Sequence, residues 1–245
     1  MREQYKSAIL EYRDTPWNSR VLGYKTNEIT GFSYENEKDL SMSLLLFDNK
    51  CQQEHVHLTV TQCFNRIVKR ELLCQDYKGI GVSMVVEVTP QTVNYSKVIE
   101  FPCIVRECTE KDLGDVQMLA WNIFQYGRFF EDPFFTEEIA RKRHQYWIED
   151  MFTSLESKIY VAEYWNRVVG FMGLSERAGE LHLGGMSKEY VHLAYVFWKK
   201  ILEHQLALAP KVRTIISALN IPVIHLYMNL GFKIVESNVL FHKHR

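Results

Sequence analysis

Apolar and polar positions change their spacing several times along the chain, and each change marks an element. Glu54–Val60 alternates at period two and predicts a strand, with His55 and His57 on one of its faces. Cys63, Phe64, Ile67, Val68 and Leu72 recur at helical spacing, which predicts a helix over 63–73. Gly79 and Gly81 then break the chain before a strand over 82–89. Nearer the start, 41–47 is a short apolar run stopped by the turn pair Asp48-Asn49. Pro16-Trp17 ahead of Gly23 predicts a loop that sets down an aromatic anchor. From Pro90 to Pro102 the chain is mostly polar and aperiodic, the best candidate for a linker.

The second half reads more regularly. A short strand at Ile104-Val105-Arg106 is followed by Thr109 and an acidic first turn, a capped start for a helix over 110–123. An aromatic-rich loop, Tyr126 to Phe135, encloses Arg128, Phe129, Phe130 and Asp132. Thr136 caps a helix running to about Phe152, with Ile139, Tyr146, Trp147 and Met151 as its apolar face. Three strands follow, over 158–164, 168–175 and 180–186, and then a helix over 188–206. A strand from Val212 to Ala218 leads to Asn220 or Ile221 as the cap of a short helix with Pro222 in its first turn. Gly231 supplies a left-handed helix end, and a last strand begins at Phe232. The predicted class is α/β (α+β), a mixed central sheet flanked by helices. The domains are 1–95, a linker over 96–102, and 103–245.

Composition narrows the function. With 47% hydrophobic and 24% charged residues the chain can fill a sizeable core. A net charge of −1 supplies no electrostatic footprint for nucleic acid or an anionic membrane. The start lacks a signal-peptide core, and no apolar run reaches the roughly 18 residues of a membrane span. Cys51, Cys63, Cys74, Cys103 and Cys108 form an odd set without a Cys-x-x-Cys pair, as expected of reduced thiols in a cytoplasmic protein. His55 and His57 have no third ligand cluster nearby, so no metal is expected.

The strand, Asn220, short helix, Tyr227, Gly231-Phe232 and strand resemble the closing signature of the GNAT acyltransferases. Val161-Ala162-Glu163, a turn and Val169-Gly170-Phe171 are similar to the family's central hairpin. The order β-α-α-β-β-β-α-β-α-β over 103–245 fits its fold, and strand–helix–strand within 1–95 fits a truncated copy. The resemblance implies acyl-CoA as co-substrate, with no metal. It places the pantetheine arm on Asn220 and beside Tyr227, which would protonate the leaving thiolate. It places the thioester carbonyl under the backbone of Leu183, Gly184, Gly185 and Met186. The pyrophosphate cradle would fall at Val191, His192, Leu193 and Ala194, where bulky residues replace the family's Arg and glycines. Gly184-Gly185 would give flexibility. His182 and Glu180 share a strand face and are candidates for a base acting through water.

The Trp17 opening and the Arg128 loop resemble dTDP-fucosamine acetyltransferase and N-acyltransferases of dTDP-linked 3-amino-3,6-dideoxyhexoses. That likeness implies a nucleotide-linked amino sugar as acceptor, with Trp17, Arg128, Phe129, Phe130 and Asp132 as its contacts. It implies acetyl-CoA or 3-hydroxybutyryl-CoA as donor, and a homodimer. A hydrophobic plug explains the aromatic loop equally well, and acetylation of a small amine or peptide, or a non-catalytic binding module, stays open.

Overall fold

The computed structural model describes residues 1–245. In chain order, β1 (Arg2–Tyr5), β2 (Ala8–Asp14), α1 (Pro16–Leu22), β3 (Lys25–Ser33), α2 (Glu37–Gln53), β4 (Val56–Cys63), α3 (Arg66–Cys74) and β5 (Lys78–Val88) come first. β6 (Ile104–Glu107), α4 (Leu113–Ile123), the one-turn α5 (Arg128–Glu131) and α6 (Glu137–Thr153) follow. β7 (Lys158–Tyr164), β8 (Arg167–Ser175), β9 (Glu180–Met186), α7 (Ala194–Leu208), β10 (Val212–Ser217), α8 (Ile221–Asn229) and β11 (Lys233–His244) complete the chain. No helix is long and apolar enough to cross a membrane.

The chain forms two compact units. The first comprises Met1–Ser83, Glu131–Phe134 and Ser237–Arg245; the second comprises Met84–Phe130 and Phe135–Glu236. These bounds differ from a cut at 96–102: the boundary falls between Ser83 and Met84, and residues 131–134 and 237–245 cluster with the first unit.

In the first unit the strand order is β1-β2-β3-β4-β11. β3 and β4 are parallel, whereas β11 runs antiparallel to β4 from Val239↔Cys63 to His244↔Leu58. Its core gathers Leu10, Leu40, Leu44, Phe47, Leu72 and Tyr77. Residues 41–47 lie inside the 17-residue α2, and Asp48-Asn49 does not turn the chain. Asn36 caps this helix by accepting from the Asp39 N–H (2.9 Å), and Leu40, Leu44, Phe47 and Cys51 make one buried stripe. Asp48 tolerates burial there because Tyr77 Oη donates to it (3.1 Å) and Lys243 and Arg245 pair with it. Pro16-Trp17 opens α1 instead of a loop, with Pro at the first turn and Gly23 ending the helix at φ 76°. His55, in the left-handed region at φ 55°, precedes β4, so only His57 lies on that strand. β5 begins before the two glycines. A Cβ on Gly81 would stand 2.0 Å from Glu131 Oε2, which explains a glycine inside a strand.

The second unit's strands follow the order β10-β9-β8-β7-β6, with residues of β5 from Met84 onward beside them in sequence and core. Helices cover both faces of this sheet. Met172, Leu174 and Leu181 pack with Phe197, Trp198, Ile201 and Leu202 of α7. Phe171 and Leu183 pack with Val116 and Ala120 of α4 and Ile148 and Met151 of α6. The buried face of α6 is Ala140, His144, Ile148 and Met151, not the Ile139, Tyr146, Trp147 face expected; only Met151 is common to both. The aperiodic stretch 90–102 has no regular structure but is tied down. Asn94 N–H donates to Leu230 O (3.0 Å), Lys200 Nζ donates to Cys103 O (2.6 Å), and Tyr95 and Val98 pack on the core.

Candidate active site

β9 and β10 are parallel neighbours paired at two positions, Arg213↔Glu180 and Thr214↔Leu181. Their ladder ends there, so His182 to Met186 continue along β9 outside it. On its other edge β9 pairs with β8, with an irregularity between Met172↔Gly184 and Leu174↔Leu181. His182 and Leu183 therefore stand opposite the single residue Gly173, a β-bulge. The extra residue switches faces: Leu181 packs under α7, while Leu183, two residues on, packs with α4 and α6. In an unbroken strand these two side chains would share a face.

The glycines of β9 stand where neighbouring atoms approach the backbone closely. A Cβ on Gly184 would lie 2.6 Å from Met172 Sδ and 2.9 Å from Phe171 O, and one on Gly185 would lie 2.4 Å from Ile123 Cδ1. Either approach is closer than packed atoms tolerate. Met186 follows them and pairs with Gly170.

Past β9 the chain does not enter one continuous helix at Lys188. It makes a 3-10 turn over Lys188–Leu193, kinked at Tyr190 (φ −113°, ψ 19°), before α7 begins. Tight turns of this kind are common at helix starts, where first-turn amides have no intrahelical partner. No side chain caps α7, although Ala194 N–H bonds to Val191 O. Val191 is exposed and His192 lies edge-on to Phe101 (5.4 Å), whereas Leu193 and Val196 are buried in the core. The bulky side chains thus point into solvent or into the core.

Asn220 is the N-cap of α8, its Oδ1 accepting from Val223 N–H at 3.4 Å. Tyr227 is buried, edge-on to Phe232 (ring centroids 4.6 Å) and near Trp198 (6.4 Å). Burial pushes its phenol up to about 12, against hydrogen bonding with Trp198 and with Thr214, the last β10 residue paired with β9. Gly231 takes the expected left-handed conformation (φ 88°), and Thr92 O lies 1.9 Å from where a Cβ would be. On β9, burial lowers the pKa of His182 while Glu180 pulls it upward, and Glu180 is exposed.

The remaining candidates are distributed over both units. Trp17, on α1 of the first unit, carries the Arg13 guanidinium over its ring (5.3 Å). Arg128 opens α5 in the second unit. Phe129 is buried and stacks on Phe135 (4.7 Å), while Phe130 stacks on His144 (5.6 Å). Asp132 belongs to the first unit and is held by His242 and His244. A residue absent from the sequence reading, His144, sits among Phe124, Phe130 and Trp147. Burial, then the charge of Arg143, lowers its pKa to about 3, so the ring is neutral. Its four-residue spacing from Ala140 and Ile148 is the signal in the sequence that could have found it.

No protein-family model matches the sequence, and no curated protein does. Solved structures do. A functionally unknown conserved protein from Staphylococcus epidermidis superposes with a TM-score of 0.67 at 9% identity, covering 99% of this chain and 92% of that one. A GCN5-related N-acetyltransferase from Sphaerobacter thermophilus gives 0.64 at 12% identity over 97% and 76%. A tandem GNAT protein from the clavulanic acid biosynthesis pathway gives 0.62 at 9% identity over 97% and 79%. With its mixed sheet covered by helices, this chain has the fold of the GCN5-related N-acetyltransferases.

Proposed function

We propose that the protein is an acyl-CoA-dependent N-acyltransferase whose site lies where β9 and β10 part. The observation that carries this reading is the two-position parallel ladder combined with the bulge at His182-Leu183. A strand edge released from its neighbour offers amides and carbonyls to an extended ligand that carries amides of its own, as pantetheine does. The start of α7 offers the positive end of a helix dipole, suited to a pyrophosphate.

In this reading the backbone of Leu183 to Met186 polarises the thioester carbonyl, and an uncharged amine attacks it directly. The tetrahedral adduct collapses with loss of the thiolate, which takes a proton from Tyr227. A phenol raised to about 12 keeps that proton at neutral pH. His182, with its lowered pKa, or Glu180 would take the amine's proton through water. The first unit is a truncated copy of the same fold, a reading supported by similarity to a tandem GNAT protein over nearly the whole chain.

The nucleotide-linked amino sugar rests on sequence resemblance, as do the choice between acetyl and 3-hydroxybutyryl donors and the homodimer. Phe129 and Phe130 are engaged in internal stacks, which favours a second acceptor class, a small amine without a nucleotide. The test is release of CoA thiol from acetyl-CoA or 3-hydroxybutyryl-CoA mixed with dTDP-amino-deoxyhexoses and, separately, with free amines. Release only with the sugar nucleotides selects the first class, and release with free amines selects the second. No release with either, together with no calorimetric heat from acetyl-CoA at millimolar concentration, overturns the enzymatic reading. Tyr227→Phe is expected to lower turnover by about 100-fold or more while CoA binding is retained; an unchanged rate removes Tyr227 from the mechanism.

A further inference from the structure

Away from the fork between β9 and β10, the first unit brings three metal-ligating side chains together. His242 and His244 are two residues apart on β11 and so project from one face of the strand. Lys243, between them, pairs instead with Asp48. Opposite the two imidazoles stands Asp132. Its Oδ2 lies 2.6 Å from His242 Nδ1 and 2.8 Å from His244 Nε2. All three donor atoms fall within 4.8 Å of one another.

We propose that Asp132, His242 and His244 form a binding site for a divalent transition-metal cation, with Zn²⁺ as the best-fitting ion. Two neutral imidazole nitrogens and one carboxylate oxygen are a donor set that suits zinc and its first-row neighbours. At metal–ligand distances of about 2.0–2.2 Å, tetrahedral ligand atoms sit about 3.3 Å apart. The present separations are shorter by roughly half an ångström or more, a gap that small side-chain rotations open.

The surroundings have the features that fix ligands at metal centres. Asp132 Oδ1 accepts the Phe134 N–H at 2.9 Å, which orients the carboxylate and leaves Oδ2 toward the imidazoles. The Phe134 ring stacks on His244 with centroids 4.5 Å apart and restricts that imidazole. Asp132 and His242 are both 1% exposed, so the charge of the carboxylate is little screened by water. His244 retains 21% side-chain exposure and marks the side from which an ion and a fourth, exchangeable ligand would enter. Bound there, the cation would clip residues 131–134 to β11.

The test uses the full chain, dialysed against EDTA and titrated with Zn²⁺ by calorimetry. One ion per chain is expected, with a thermal midpoint that rises as Zn²⁺ is added. Asp132→Asn and His244→Ala are each expected to weaken binding by at least about tenfold, the scale of losses from supporting residues alone. His225→Ala, at an exposed position of α8, is expected to leave it unchanged. Because a variant can fail to fold, Co²⁺ is added to the unaltered protein as well. A d–d absorption band stronger than that of the hexa-aquo ion supports an enclosed N,O site. Absence of Zn²⁺ binding up to millimolar concentration, an unshifted aquo-cobalt spectrum, or binding unaffected in folded Asp132→Asn protein each overturns the proposal.

Discussion

At the scale of single residues, the most exacting contacts of the second unit surround Asp112. Arg106 donates to both of its carboxylate oxygens (2.7 and 2.8 Å) and to Glu163 (2.8 Å), while Thr109 N–H and Oγ1 donate to Oδ2 (2.8 and 2.7 Å). These bonds tie β6 and β7 to the start of α4. The Arg106 guanidinium, and then Thr109, hold the Asp112 carboxyl well below the usual carboxylate range, even though burial opposes them. A depressed folded-state pKa means that the stabilisation is fully present above the unfolded value, about 3.9, and is lost as pH falls below it. The urea midpoint should therefore fall as pH drops below about 4. Asp112→Asn should cost about 1–3 kcal/mol at pH 7 and flatten that acid slope. An identical slope in wild type and variant would remove Asp112 as its source. Thr109 and the acidic turn after it were legible in sequence because capping is local. The partners of Asp132 were not, since 110 residues separate it from His242.

At the scale of elements, β9 shows what periodicity can and cannot convey. Glu180-Leu181-His182-Leu183 alternates as a regular strand does, and its strand character was legible. The bulge was not, because it depends on Gly173 of the neighbouring strand rather than on the alternation within β9. The same holds for α2, where the turn propensity of Asp48-Asn49 yields to partners distant in sequence. α8, by contrast, was read correctly from Asn220 to Gly231, because cap, proline and glycine are all local signals. The packing at β9 makes a direct prediction. Gly184→Ala should destabilise the protein by about 1–3 kcal/mol, measured by urea unfolding, since the added methyl meets the Phe171 carbonyl, and Gly185→Ala should cost less because the end of the Ile123 side chain can turn away. Stability equal to wild type at both sites would return these glycines to a role in flexibility.

At the scale of the molecule, the division into units turns on β11. Its residues 237–244 belong to the first unit and extend the β4 edge by six residue pairs, Val239↔Cys63 through His244↔Leu58. Removing 237–245 deletes that pairing, the Arg245 and Lys243 partners of Asp48, and both histidines beside Asp132. Hydrogen exchange is expected to show lost protection of the amides of β4, Val56–Cys63, in the truncated chain. Retained protection there would mean that β1–β4 with α2 and α3 hold together alone.

The same strand has a consequence for synthesis. A ribosome makes residues 1–83 well before the strand that covers the free side of β4, which follows only after residues 84–236. Throughout elongation, β4 would stand at the sheet margin with unpaired peptide groups, open to mispairing with other nascent chains. The second unit, whose segments end at Glu236, can assemble before the first is closed. Between these two units, order of translation and order of completion are therefore reversed: the unit begun earlier is completed after the other.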